Sequence, residues 1–191
     1  MTGRRRTIGR TMSDMDQLAT KEGWLAPNDL ELARDRVPMV YVDAVPVRLD
    51  DAGRVVAVGL LLRAMPDDTI SRAVVTGRVL YGETVRSALL RHLAKDLGPL
   101  AQPQLPPNPS PFTVVEYFPD PTVTGFVDPR QHAVSLAYIV PIVGDCMPAP
   151  EALDFTWLTP VEAASPEVSS EMTGGHDRLV RMALANVGAL P

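Results

Sequence analysis

The chain has 191 residues and a formal net charge of −5, and 46% of its residues are hydrophobic. This length suits one domain with a sizeable core, and no apolar run approaches the roughly 18 residues that span a bilayer. Only 5% of the residues are aromatic, so the chain lacks the combination of basic and aromatic residues that is typical of nucleic-acid-binding proteins. Cys146 is the only cysteine, which excludes an intrachain disulfide and a CxxC metal pair. We therefore expect a cytoplasmic protein without a membrane partner.

The N-terminal segment differs from the rest of the chain in charge. Four arginines precede the first predicted element: Arg4, Arg5, Arg6 and Arg10. We expect residues 1–36 to form a flexible basic N-terminus followed by a short helix, and residues 37–191 to form the domain. The short helix is expected to take Asn28 as its N-cap and to end before Pro38. We assign the basic arm no functional role.

The first half of the domain reads as strands. "VPMVYVDAVPVRLD" and "GRVVAVGLLLRA" are apolar, β-branched runs, and Asp50, Asp51 and Gly53 between them are residues that tolerate a tight turn. The pattern predicts an antiparallel hairpin. "SRAVVTGRVL" follows and is predicted to be a third strand that runs into a glycine-containing loop.

A helical period begins at Thr84. Val85, Leu89, Leu93 and Leu97 recur every four residues and form one apolar stripe. Gly98 and Pro99 then end the helix. The next segment, "PLAQPQLPPNPSP", is rich in proline, which denies a sheet its backbone donors, so we expect a connector at the surface.

The second half repeats the order of strands followed by a helix. "FTVVEYF" and "HAVSLAYIVPIVG" predict strands, "LDFTWLTPVEA" predicts a strand that turns into a capped helix, and "GGHDRLVRMALANVG" predicts a final amphipathic helix. This order is typical of an α/β (α+β) fold with one helix on each side of a mixed sheet.

The stretch "GRVLYGETVRSALLRHLAKDLG" resembles the Nudix box, which runs Gly, five residues, Glu, seven residues, Arg-Glu, an aliphatic residue, any residue, Glu-Glu, any residue, Gly. Gly77, Glu83, Arg91, Leu93 and Gly98 fall on their expected positions. The resemblance covers roughly residues 37 to 187 and implies a Nudix-like α/β/α sandwich with a mixed β-sheet. An arginine-rich chain with two lysines indicates a GC-rich bacterial genome, and we expect a divergent actinobacterial branch of the superfamily.

The chain departs from the family where the family binds metal. Nudix hydrolases hold Mg²⁺ or Mn²⁺ with the Glu of Arg-Glu and the following Glu-Glu, and the ion activates water against a pyrophosphate. Those positions here are His92, Lys95 and Asp96. Mg²⁺ prefers oxygen ligands, and a protonated lysine has no lone pair to offer. Asp96 alone is left as a weak metal ligand, so we predict a degenerate box with no cofactor.

Replacement ligands are conceivable at two places. His92 is either a softer metal ligand paired with Asp96 or a solvent-facing residue that pairs with Asp96 at i, i+4, and we favour the second. Glu116 and Asp120 could supply carboxylates from outside the box, although a strand-edge glutamate is more often simply exposed.

Two histidines outside the box have structural and functional alternatives. His132 and His176 could line a pocket or cap their elements. For the Gly175-His176-Asp177 run we favour capping, with Asp177 at the start of the last helix.

Three classes of function follow from this pattern. The first is a Nudix-like domain that binds a nucleotide-like or phosphorylated ligand, or a protein partner, without efficient hydrolysis. The alternative is a pyrophosphohydrolase of nucleoside-diphosphate derivatives, in which Asp96, Glu83 and Glu116 hold Mg²⁺ or Mn²⁺. The third is a structural homo-oligomer such as a homodimer.

Overall fold

The computed structural model describes residues 23–64, 69–148 and 152–191. The predicted basic arm lies outside these ranges. The strands are β1 (Met39–Leu49), β2 (Val55–Ala64), β3 (Ile70–Ala73), β4 (Val75–Arg78), β5 (Thr113–Tyr117), β6 (Ala133–Pro141) and β7 (Asp154–Leu158). The helices are α1 (Pro27–Arg36), α2 (Val85–Leu97), α3 (Pro121–Thr124), α4 (Pro160–Ala163), α5 (Pro166–Ser170) and α6 (His176–Asn186).

The sheet is built around β1. This strand pairs with β6 in parallel over nine residues, and it pairs antiparallel with β2 at one end and with β4 at the other. β5 extends the sheet beyond β6, while β3 and β7 both pair with β2. The predicted hairpin is present: Asp50 Oδ1 accepts hydrogen bonds from the amides of Ala52 and Arg54 at 3.0 and 2.9 Å, and Gly53 adopts a φ of 76°.

The predicted third strand is divided in two, which corrects the sequence-based assignment. β3 pairs with β2 and β4 pairs with β1, and the chain crosses between them at Val74. The division arises because β1 and β2 are paired only near their turn. Beyond that point the two strands diverge, so one continuous strand cannot pair with both.

Helices cover both faces of the sheet, which confirms the predicted α/β/α sandwich. Val42 and Ala44 of β1 pack with Leu89, Leu93 and Leu97 of α2. Val45 and Val47 belong to the core on the opposite face, which α6 closes. The first helix, α1, packs Leu30 and Ala33 against that second core.

The helix ends confirm one predicted cap and correct two. Thr159 and Glu162 form a capping box at the start of α4, as the "WLTPVEA" segment predicts. The first helix instead begins at Pro27 with Ala26 as its N-cap, because proline at the first helical position has its φ already set. Asp177 lies in the first turn of α6 but does not cap it, since Gly175 is the N-cap residue.

The proline-rich connector is a loop, as predicted, but it is anchored more firmly than a surface loop requires. Ala101 is 1% exposed, Leu105 packs against the α2-side core, and the amide of Gln104 donates to the carbonyl of Pro141 at 2.8 Å. Within the ranges that the structure describes, no helix is long and apolar enough to cross a membrane.

Candidate functional site

The inner side of α2 faces β4, and the His92 ring packs against Gly77 and Arg78 of that strand. A Cβ atom on Gly77 would lie 1.8 to 2.3 Å from three atoms of the His92 ring, so only glycine fits there. His92 Nε2 is 3.0 Å from the carbonyl oxygen of Arg78 and donates to it. The residue is 9% exposed, and burial lowers the pKa of the imidazole below its ordinary value.

These contacts correct the expectation that His92 faces solvent and pairs with Asp96. The ring turns inward because Gly77 leaves room for it, and its Nε2–H group donates to the backbone carbonyl of Arg78. His92 is therefore a neutral, packed donor.

Asp96 is the only carboxylate at the three substituted positions, and it is already paired. Arg63, at the end of β2, donates from Nη2 to Asp96 Oδ2 at 2.5 Å, and the aspartate side chain is 6% exposed. Lys95 Nζ lies 4.0 Å from Asp96 Oδ1, with a side chain that is 60% exposed. The carboxylate is thus held between a guanidinium and an ammonium group.

Glu83 and Arg91 form a brace between the loop that follows β4 and the helix α2. Arg91 donates from Nε to Oε1 and from Nη2 to Oε2 of Glu83, both at 2.7 Å. The amide of Leu80 also donates to Oε2 at 3.0 Å. Hydrogen bonding from Arg91 lowers the pKa of the Glu83 carboxyl.

The other two matched box positions have structural roles. Leu93 is fully buried in the α2-side core. Gly98 ends α2 with a φ of 84°, and a Cβ there would lie 2.4 Å from the carbonyl oxygen of Met147. The positive φ and the short distance to Met147 both exclude a side chain at position 98.

The oxygen atoms near the box do not fit a divalent cation. The Arg78 carbonyl accepts from His92 and also from Arg91 Nη2 at 2.9 Å, and both Glu83 oxygens are engaged. Asp96 is occupied by Arg63. Across residues 23–64, 69–148 and 152–191, no three His, Cys, Asp or Glu side chains gather as a metal site. Mg²⁺ or Mn²⁺ would have to displace Arg91 from Glu83, or Arg63 from Oδ2 of Asp96, to bind these oxygens.

The carboxylates proposed from outside the box lie elsewhere. Glu116 Oε1 is 3.6 Å from His132 Nε2, with a half-exposed side chain. Asp120 caps α3, where Oδ1 accepts from the amide of Thr122 at 2.8 Å. Among the described residues, neither joins Asp96 in a group of three His, Cys, Asp or Glu side chains that could hold a metal ion.

The histidines outside the box pack against aromatic rings. The rings of His132 and Phe118 are stacked with centroids 4.3 Å apart. His176 meets Tyr117 edge-on at 6.4 Å, and burial lowers the pKa of its imidazole.

Sequence patterns alone overlook two residues beside the site, Arg63 and Trp24, and one next to the core on the α6 side of the sheet, Asp43. Arg63 stands at the end of the run "GLLLRA", and Asp43 stands inside the run "YVDAV". Asp43 is fully buried and accepts from Tyr117 Oη at 2.9 Å. Trp24 lies over the guanidinium of Arg78, 5.7 Å from Cζ to the ring centroid. The sequence signal for Arg63 and Asp43 was a single charged residue within an apolar strand. Such a residue needs a specific partner when it is buried.

Comparisons with known proteins agree with this architecture. A family model described as a domain of unknown function (DUF4916) matches residues 20–189. No curated protein gives a significant match. A solved structure from Jonesia denitrificans DSM 20603 is 59% identical over 82% of this chain and 98% of that chain, with a TM-score of 0.80. It is described as a possible asymmetric diadenosine tetraphosphate (Ap(4)A) hydrolase.

More distant solved structures show the same fold. A NUDIX hydrolase from Nitrosomonas europaea is 14% identical over 79% of this chain and 91% of that chain, with a TM-score of 0.58. The NUDIX domain of Shewanella oneidensis NrtR, complexed with ADP ribose, is 17% identical over 84% of this chain and 98% of that chain, with a TM-score of 0.57. The chain therefore belongs to the family described as a domain of unknown function (DUF4916), and its fold is that of the Nudix hydrolases.

Proposed function

We propose that this protein binds a nucleotide-like ligand with phosphate groups and does not hydrolyse it efficiently. The observation that carries the proposal is the ion pair between Arg63 and Asp96 at 2.5 Å. It places a fixed guanidinium on the one carboxylate left at the three positions where the family gathers metal ligands. A divalent cation at Asp96 would lie beside this guanidinium and the Lys95 ammonium group, and like charges repel.

The relatives support a ligand that contains nucleoside and phosphate groups. The Jonesia denitrificans protein is described as a possible Ap(4)A hydrolase, and the Shewanella oneidensis domain was solved with ADP ribose. Both molecules join adenosine to a chain of phosphates. We propose a ligand of this class, bound in the cytoplasm.

Isothermal titration with Ap(4)A and ADP-ribose tests the binding. Adenosine, which lacks phosphate, is the matched control ligand. We expect heat of binding from at least one phosphate-containing ligand, none from adenosine, and unchanged ligand when the cell contents are chromatographed afterwards. Absence of binding to both phosphate-containing ligands overturns the proposal, and so does cleaved ligand.

A pyrophosphohydrolase is the second candidate, because the 59% identical relative is described as a possible hydrolase. This candidate requires Asp96 to leave Arg63 and to join Glu83 and an outside acid such as Glu116 around Mg²⁺ or Mn²⁺. Steady-state assays of the unmodified chain and of Asp96→Asn decide between the two candidates, since only the hydrolase loses activity on this substitution.

Two further proposals concern assembly. A protein partner in place of the small ligand, and a homodimer, are both compatible with a domain whose box is structural. Sedimentation velocity at several concentrations tests the homodimer: a single monomer-sized species across the series rules it out.

A further inference from the structure

Two arginines near the box have unused N–H donors, while among the carboxylate oxygens of the described residues there Asp96 Oδ1 alone accepts no hydrogen bond and lies 4.0 Å from Lys95 Nζ. Both oxygens of Glu83 are engaged by Arg91, and the Arg78 carbonyl already accepts two hydrogen bonds. By contrast, Arg63 has five N–H groups and donates one hydrogen bond among the described residues, to Asp96. Arg78 Nη1 is buried with no described partner. A ligand that meets the exposed part of the Arg63 guanidinium must supply acceptors, whereas the buried Arg78 Nη1 is closed to it.

The charge at this face has the opposite sign to that of the whole chain. The chain carries a net charge of −5. Residues 77–98 contain two carboxylates, Glu83 and Asp96, and an excess of two cations over them; Arg63 adds one more charge. The cations of this stretch are Arg78, Arg86, Arg91 and Lys95. Arg91 and Lys95 are one helical turn apart on α2 and so lie on one side of it. A local positive excess on an acidic protein attracts anions to this face.

Arg63 and Lys95 are the two cations best placed to meet a ligand. Their side chains are 26% and 60% exposed, and Asp96 lies between them. Asp96 fixes the position of the Arg63 guanidinium, which leaves the remaining N–H groups of its planar fork for a second acceptor. That fork matches the oxygens of a phosphate group, and the Lys95 ammonium adds a mobile charge.

We infer that the face formed by Arg63 and Lys95 binds a diphosphate group directly, through N–H donors, with no divalent cation. The inference rests on the proposed function and specifies how the phosphates are held. It predicts the direction in which Mg²⁺ changes the affinity. Mg²⁺ neutralises a diphosphate, so adding Mg²⁺ should weaken binding here, whereas a site built from carboxylates needs the ion.

Inorganic pyrophosphate is the probe, titrated calorimetrically into the full chain in EDTA and then in excess Mg²⁺. We expect binding in EDTA and weaker binding in Mg²⁺. Arg63→Gln and Lys95→Gln should each weaken binding in EDTA by about tenfold or more, the value of one charge-assisted hydrogen bond. Arg54→Gln is the matched control: it removes the same charge from the β1–β2 turn and should leave the affinity unchanged.

The outcomes separate this inference from the proposed function. Pyrophosphate binding that requires Mg²⁺, or no pyrophosphate binding in either buffer, overturns the inference, while Ap(4)A or ADP-ribose binding without cleavage would still support the proposed function. Equal affinities for the unmodified chain and Lys95→Gln also overturn it. The exposed Lys95 makes that variant decisive even if Arg63→Gln unfolds. Cleavage of Ap(4)A with Mg²⁺ overturns the proposed function instead.

Discussion

Arg91 binds the carboxylate of Glu83 through two hydrogen bonds of equal length, 2.7 Å each, from different nitrogens of its guanidinium. The two residues are eight positions apart. Glu83 precedes α2 and Arg91 lies in its middle, so this contact fixes the loop against the helix. The Arg91 side chain is 28% exposed and that of Glu83 is 14% exposed, which protects the pair from solvent.

We predict that Arg91→Ala lowers the free energy of unfolding by about 1.5–3 kcal/mol, because it leaves a largely buried carboxylate without its charged donor. Urea denaturation measures the change. The matched control is Arg54→Ala, which breaks an ion pair with Asp50 whose arginine side chain is 79% exposed. That pair should contribute far less, because solvent screens it. Equal denaturation midpoints for Arg91→Ala and the unmodified chain would refute the structural role of the brace.

Gly77 and His92 provide a prediction about packing. Gly77→Ala would place a Cβ within 2.3 Å of the imidazole, and the ring, held by the Arg78 carbonyl, can move away only by losing its hydrogen bond. We expect a loss of about 1–3 kcal/mol of stability. In a His92→Ala background the same substitution should cost much less, because the ring is absent. A double-mutant cycle measures this coupling, and additive effects would contradict the contact.

The buried imidazole of His92 also predicts a pH dependence of stability. Its pKa in the folded protein lies below the ordinary value of 6.5, so the unfolded chain binds more protons as the pH falls below that value. The stability that the protein gains by keeping His92 neutral is therefore complete above pH 6.5, and it is lost as the pH falls through the folded-state pKa. The imidazole of His176 shifts in the same direction.

Unfolding free energies measured from pH 7.5 down to about pH 5 test this contribution. His92→Gln retains an N–H donor but does not titrate, so its stability should fall less over this interval than that of the unmodified chain. The remaining slope includes the contribution of His176. Identical slopes for the two proteins would show that His92 is not held neutral by the fold.

The sequence predicted the elements better than the contacts between them. The spacing of apolar residues and the positions of turn residues were sufficient to predict the hairpin, α2 and the final helix, because those signals are local. The split between β3 and β4 at Val74 was missed because it depends on where β1 and β2 diverge, which is a property of the whole sheet.

The same distinction applies to the site. The resemblance to the Nudix box identified Glu83 and Arg91 as matched positions, and their contact joins two residues of one short motif. Helical spacing suggested that His92 pairs with Asp96, but each found a partner outside the helix, at Arg78 and Arg63 respectively. Arg63 is 33 residues from Asp96, and only the strand order brings the two together.

The central claim is that the box of this protein supports binding but not metal-dependent hydrolysis. Its most direct test incubates the unmodified chain with Ap(4)A or a nucleoside-diphosphate derivative and Mg²⁺ or Mn²⁺, beside Asp96→Asn and Lys95→Ala, and quantifies released nucleotides by chromatography. We predict no metal-dependent release above that of the two variants, because Arg63 and Lys95 place positive charge beside Asp96 and Arg91 engages both oxygens of Glu83. Robust Mg²⁺-dependent release by the unmodified chain that Asp96→Asn abolishes would contradict the claim.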